Sequence, residues 1–266
     1  MFLTRVLSAL ILAPIVIGLI GIGGWLFNVF LVAALGLAAI ELAHMMRQGG
    51  FAPPVFFSLL LIVTITADVI FPEAFLLRPA LAFALISSLT WQLFHRTNLP
   101  TASWALAIVG GLYLGAVGAH FILLRQLVDG ERWLLLTLTG TWLADSGAYL
   151  VGSRIGRHKL APNLSPKKSW EGLIGGSVIA VLGNMAVAAG LSLPIGPGAA
   201  LGLIGATIGL LGDLSISMIK REVNVKDTGH LIPGHGGALD RLDSLLFTVI
   251  VSYYYLIWIA AIQPVH

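Results

Sequence analysis

Nine long apolar stretches dominate this chain, at roughly 6–22, 25–46, 54–71, 79–93, 102–124, 133–152, 173–193, 199–219 and 245–262. Each comes close to the ~20 residues that a helix needs to cross a hydrocarbon core. The runs are continuous and rich in Ala, Leu and Gly. They lack the ~10-residue alternation of a membrane barrel, so strands are not expected. Charged residues make up 10% of the sequence, against about 25% in an ordinary soluble domain. The chain therefore reads as an all-α, polytopic integral membrane protein with about nine transmembrane helices in a single transmembrane domain. Within it, 1–132 reads as N-terminal helices serving as scaffold and lipid access, and 133–266 as the catalytic helices and loops. Arg5 before an apolar run would suit a signal peptide, but the run is long, no Ala-x-Ala site follows and Trp25 opens another span. A retained first span is the expectation.

Nine spans put the termini on opposite sides, so loop charges choose the orientation. With a cytoplasmic N-terminus, the inside segments hold Arg5, Arg47, Arg96, Arg154, Arg157, Lys159, Lys167, Lys168, Lys220, Arg221, Lys226 and Arg241. Only Arg78, Arg125 and Arg132 of the 15 Lys and Arg fall outside, the asymmetry of the positive-inside rule. The net charge of +3 is thus a matter of topology, and nucleic acid is not an expected partner. With no cysteine, disulfides, thiolate zinc sites, Fe–S clusters and a Cys nucleophile are excluded. Any metal must take oxygen or imidazole ligands.

Two carboxylates interrupt apolar spans, Asp145 and Asp213. A central Asp costs about 2.5–3.5 kcal/mol on insertion scales, so it is expected to face water, a cation or a metal. Glu41 and Asp68 lie nearer span ends and read as structural groups that reach the interface. Asp240 and Asp243 stand three apart where an apolar helix begins, which puts both on one helical face, about 5–6 Å apart at Cβ. Two such anions repel unless a cation lies between them; the plainer reading is an acidic first turn that suits the helix dipole. Gly234, Gly236 and Gly237 allow close backbone approach, and their amides could receive phosphate oxygens. Lys220, Arg221, Lys226 and Arg241 bring positive charge, and Lys167 and Lys168 with Ser165 and Ser169 read as part of the same cytoplasmic pocket, or else as anchors for anionic lipid. His230 and His235 could ligate metal or transfer a proton, but loop histidines beside glycines read first as hydrogen-bonding or phosphate-contacting groups. The stretch from Gly152 to Lys159 lacks the Gly-Lys-Ser/Thr ending of a Walker loop. Small-residue pairs, Gly111/Gly115 and Gly205/Gly209, suit close helix packing and would permit a homodimer.

The run Ser217-x-x-Lys220-Arg221-x4-Lys226-Asp227-x-Gly229-x2-Ile232-Pro233-x-His235-Gly236-Gly237-x-x-Asp240-Arg241-x-Asp243 closely resembles the signature of the CDP-diacylglycerol synthases, or phosphatidate cytidylyltransferases. The stretches Asp145–Tyr149 and Leu164–Gly172 also resemble that family, with Ser169 where Thr is more usual. The resemblance implies a polytopic enzyme of the bacterial cytoplasmic (inner) membrane, its site facing the cytoplasm. Its reaction would be CTP plus phosphatidic acid giving CDP-diacylglycerol and pyrophosphate, with Mg2+ as cofactor at two cation sites. By motif position it implies Asp213, Asp240 and Asp243 as metal ligands, with Asp145 as a further candidate. The same three aspartates, with Lys226 and Arg241, are the expected catalytic groups. Substrate contacts are expected from Lys167, Lys168, Ser169, Ser217, Lys220, Arg221, His235, Gly236 and Gly237. A secondary transporter with an intramembrane carboxylate site is the rival reading, although the charges gather at one face and in one third of the chain.

Overall fold

A computed structural model describes residues 2–95, 97–229 and 236–264, with side chains described from residue 10 onward. Its helices are α1 (Phe2–Ile22), α2 (Gly24–Gln48), α3 (Val55–Ile70), α4 (Leu77–Phe94), α5 (Pro100–Leu112), α6 (His120–Arg125), α7 (Gly130–Ile155), α8 (Trp170–Gly190), α9 (Ile195–Glu222) and α10 (Leu239–Trp258). A π-helical turn, Tyr113–Val117, joins α5 to α6, so that Pro100–Arg125 acts as one apolar segment. Each of the nine apolar stretches therefore corresponds to helix. Among the described residues five segments (α2, α4, Pro100–Arg125, α8 and α9) are long and apolar enough to cross a membrane, and Leu10–Ile22 and Val55–Ile70 are shorter apolar helices. The last stretch was expected to run to 262, but α10 stops at Trp258. The amide of Ile262 turns back to the Leu256 carbonyl at 2.9 Å, and the next residues pair with Leu127 and Val128.

The expectation of no strands fails in one place. β1 (Lys159–Ala161) and β2 (Ser165–Ser169) form an antiparallel hairpin. Pro162 and Asn163 make its turn, closed by the Leu164 amide on the Ala161 carbonyl at 3.2 Å. Whole-chain hydropathy does not see it, because its residues are polar and it lies between two apolar runs.

The chain folds into two compact units. The first comprises Met1–Ile122 and Ile219–Leu242, the second Leu123–Met218 and Asp243–His266. In the first unit, Leu61, Ile65, Ala84, Ile108 and Ala119 form a core, while Met45, Met46 and Val223 form another with Leu42, Phe51, Leu106, Ile219 and Val225 around it. The C-terminal end of α2 thus packs on the last turn of α9 and the chain that follows. In the second unit, Ala144, Ala180 and Ala206 bring α7, α8 and α9 together. The small residues that could have served a homodimer are used inside the chain. A Cβ on Gly111 would lie 2.8 Å from the Ser58 backbone, and one on Gly205 would lie 2.7 Å from that of Gly140.

Candidate active site

The second unit carries Asp213 in the latter half of α9. Along β2 the chain becomes progressively covered toward α8, with Lys167 exposed, Lys168 partly covered and Ser169 buried. Lys168 forms an ion pair with Asp213. Ser217, one helical turn further on, donates its hydroxyl to Asp213 Oδ1 at 3.3 Å. Ser169 takes a structural post: its oxygen accepts the Gly172 amide at 3.2 Å and so caps α8. The backbones of α9 and α10 meet where Gly212 faces the Asp243 carbonyl, leaving no room there for a Cβ. Asp243 is buried, with Oδ1 2.6 Å from the Ser244 amide. Asp145 lies exposed on α7.

The first unit carries the rest of the polar run. Lys220, in the last turn of α9, places Nζ 2.7 Å from Asp240 Oδ1, and both side chains are less than one-tenth exposed. Asp240 Oδ2 accepts the Thr228 amide at 2.9 Å, the Thr228 hydroxyl at 3.0 Å and the Gly237 amide at 3.0 Å. Burial pushes the Asp240 carboxyl up, but Lys220 and the amides of Gly237 and Thr228 outweigh it and hold the group below the ordinary aspartate range. Gly236 has φ +78°, and a Cβ there would lie 2.5 Å from Asp240 Oδ2. Arg221 donates to the Val225 carbonyl at 2.9 Å. Lys226, Asp227 and Arg241 are exposed. His230 and His235 lie outside the described residues.

Carboxylate oxygens suit magnesium, which is commonly held by one or two carboxylates together with substrate phosphates. Asp213, Asp240 and Asp243 each offer such oxygens, and Asp213 and Asp243 stand on helices whose backbones touch. Both oxygens of Asp240 are engaged, by Lys220, Thr228 and Gly237, and so are both of Asp213, by Lys168 and Ser217. Among the described residues no group of three His, Asp or Glu side chains is gathered for a metal.

Residues 3–259 match the cytidylyltransferase family. The chain belongs to this family. The match extends to relatives along nearly their whole length. A phosphatidate cytidylyltransferase of Synechocystis is 34% identical over 95% of this chain and 96% of its own. That of Bacillus subtilis is 32% identical over the same shares, and that of Brucella suis 34% over 95% and 92%. This cytidylyltransferase is therefore an enzyme.

In this cytidylyltransferase the signature of the sequence is divided between two environments. Lys168, Asp213 and Ser217 meet in the second unit; Lys220, Thr228, Gly237 and Asp240 meet in the first. Sequence reasoning missed Thr228, and it read Glu41 as a structural group at the interface without the partners it holds. Glu41 Oε1 accepts the Ala238 amide at 2.9 Å, while Oε2 accepts the Leu239 amide at 2.9 Å and competes with Asp240 for the Thr228 hydroxyl proton at 3.1 Å. A carboxylate in an apolar helix was the available signal. Its partners lie 187 to 198 residues away along the chain, a distance over which spacing says nothing.

Proposed function

We propose that this enzyme transfers the cytidylyl group of CTP to phosphatidic acid, forming CDP-diacylglycerol and pyrophosphate. The observation that carries the reading is its similarity, along nearly the whole chain, to proteins named phosphatidate cytidylyltransferase. The apolar helices agree with a substrate that is itself a membrane lipid. On this reading about nine segments cross the bacterial inner membrane with the N-terminus in the cytoplasm, which puts the polar signature where CTP is found.

An oxygen of the phosphatidate phosphomonoester attacks the α-phosphorus of CTP in line. A new P–O bond forms, the α–β P–O bond breaks and pyrophosphate departs with its electron pair. The phosphomonoester is already anionic, so no protein nucleophile is needed and the barrier is the approach of two polyanions. Asp213 and Asp243 are the residues we assign to Mg2+, with Asp145 as a further oxygen donor. Once bound, the metal supplies positive charge to the attacking and leaving oxygens. Lys168, paired with Asp213, is suited to move its ammonium onto a phosphate. Lys226, Arg241 and Arg221 are assigned to the departing pyrophosphate, where guanidinium groups bind oxygens in pairs. Asp240 is assigned to holding Lys220 and the chain around Thr228 in place.

Purified full-length protein incubated with radiolabelled CTP, Mg2+ and phosphatidic acid is expected to release pyrophosphate and a lipid-soluble cytidine product in equal amounts. Absence of that product in protein that remains folded overturns the assignment.

A further inference from the structure

We infer that Glu41 is a positioning residue for cytidylyl transfer, a carboxylate sent from α2 to hold the start of α10 and the chain at Thr228. The inference rests on the function proposed above for its effect on turnover, although the clamp itself does not. A helix leaves its first amides without internal partners. At α10 the Gly237 amide goes to Asp240, and the next two, of Ala238 and Leu239, go to the two oxygens of Glu41. The Thr228 hydroxyl lies 3.1 Å from Glu41 Oε2 and 3.0 Å from Asp240 Oδ2, and its single proton is shared between the two carboxylates. With Lys220 on the other Asp240 oxygen, one network joins α2, the end of α9, Thr228 and the first turn of α10.

Two glycines of the signature then acquire a reason. A Cβ on Gly229 would lie 2.8 Å from Glu41 Oε1, and a Cβ on Gly237 would collide with Glu41 Oε2. The glycines clear the space into which the carboxylate of a distant helix is inserted. Because amides 237–239 already have carboxylate partners, they are not donors for phosphate oxygens, which alters what the glycine-rich stretch suggested in the sequence. Glu41 thereby fixes the chain on both flanks of 230–235 and the first turn that bears Asp240 and Arg241. It acts on the reaction through them and not by touching substrate.

The test uses the purified full chain with Glu41→Ala, Glu41→Gln and Gly237→Ala, alone and combined. In Glu41→Ala, hydrogen exchange at the amides of Ala238 and Leu239 should quicken at least about tenfold, with peptides from α7 and α8 unchanged. Turnover of CTP should fall roughly 100-fold, the scale of a small misplacement of reacting groups, mostly in kcat. Glu41→Gln keeps one carbonyl acceptor and should fall between wild type and Glu41→Ala, which preserves the test if the alanine variant does not fold. Gly237→Ala should lower turnover in the wild-type background and add little once Glu41 is gone. Unchanged exchange at Ala238 and Leu239, or fully additive losses from Gly237→Ala and Glu41→Ala, overturns the inference. If wild type makes no lipid-soluble cytidine product, the proposed function falls, while the exchange comparison still decides the clamp.

Discussion

The Nζ of Lys220 lies 2.7 Å from Oδ1 of Asp240, a buried ion pair between residues twenty apart that ties the end of α9 to the first turn of α10. Removing one partner of a buried pair leaves an uncompensated charge. Lys220→Met should therefore destabilise the protein by about 3 kcal/mol. In combination with Asp240→Asn it should lose less than the sum of the two single changes. Thermal unfolding of the four proteins in detergent measures the coupling.

Acid should act through the same carboxylate. The Asp240 pKa is depressed below its ordinary 3.8. Its contribution is thus fully present above the unfolded-state value and disappears as pH falls through the lower, folded-state value. Unfolding midpoints measured from neutral pH downward should show an acid-side loss of stability that is shallower in Asp240→Asn. A variant whose pH profile superimposes on wild type contradicts the depressed pKa.

Asp213→Asn and Asp243→Asn should each reduce turnover by roughly 100-fold or more, the scale for removing a group that stabilises transition-state charge. Both proteins should still insert into membranes and elute as wild type does from a sizing column. Near-normal activity in either variant, assayed by lipid-soluble cytidine, removes that residue from the magnesium assignment.

Gly212 is the point where α9 touches α10. A side chain there meets the Asp243 carbonyl and lies 3.2 Å from the Phe247 Cβ. Gly212→Val should cost about 1–3 kcal/mol of stability by overpacking. It should also lower activity, because the helices that present Asp213 and Asp243 must separate.

Asn184 is a control away from the chemistry. Fully buried in α8, it donates to the Leu136 carbonyl at 2.9 Å and accepts the Thr139 hydroxyl at 2.9 Å. Asn184→Leu should cost about 1 kcal/mol, as interhelical hydrogen bonds do in membrane proteins. Its unfolding midpoint should fall while KM for CTP stays as in wild type.

Much of the helical layout could be read in advance. A segment of about twenty apolar residues has few options in lipid, where every backbone amide and carbonyl must be paired within the segment itself. Thus α2, α8 and α9 stand close to where hydropathy puts them. The hairpin at Lys159–Ser169 could not be read this way, since its residues face water and its pairing depends on a short turn. At the site, the acids and bases of the polar run were visible as residue types. Their pairing was not: Lys168 with Asp213 and Lys220 with Asp240 are choices made by packing.

By itself, then, the order of residues determined that this is a helical protein for a membrane, that it carries the cytidylyltransferase signature, and which carboxylates and cations gather near its C-terminal end. Only the tertiary structure decided that Asp240 faces Lys220 and Thr228, that Ser169 caps a helix, and that Glu41 from α2 occupies the space left by Gly229 and Gly237. The reason is physical. Hydropathy and local motifs act over a few turns of chain, whereas a carboxylate finds its donors through space, and the helices that carry them are brought together by burial and close backbone contact.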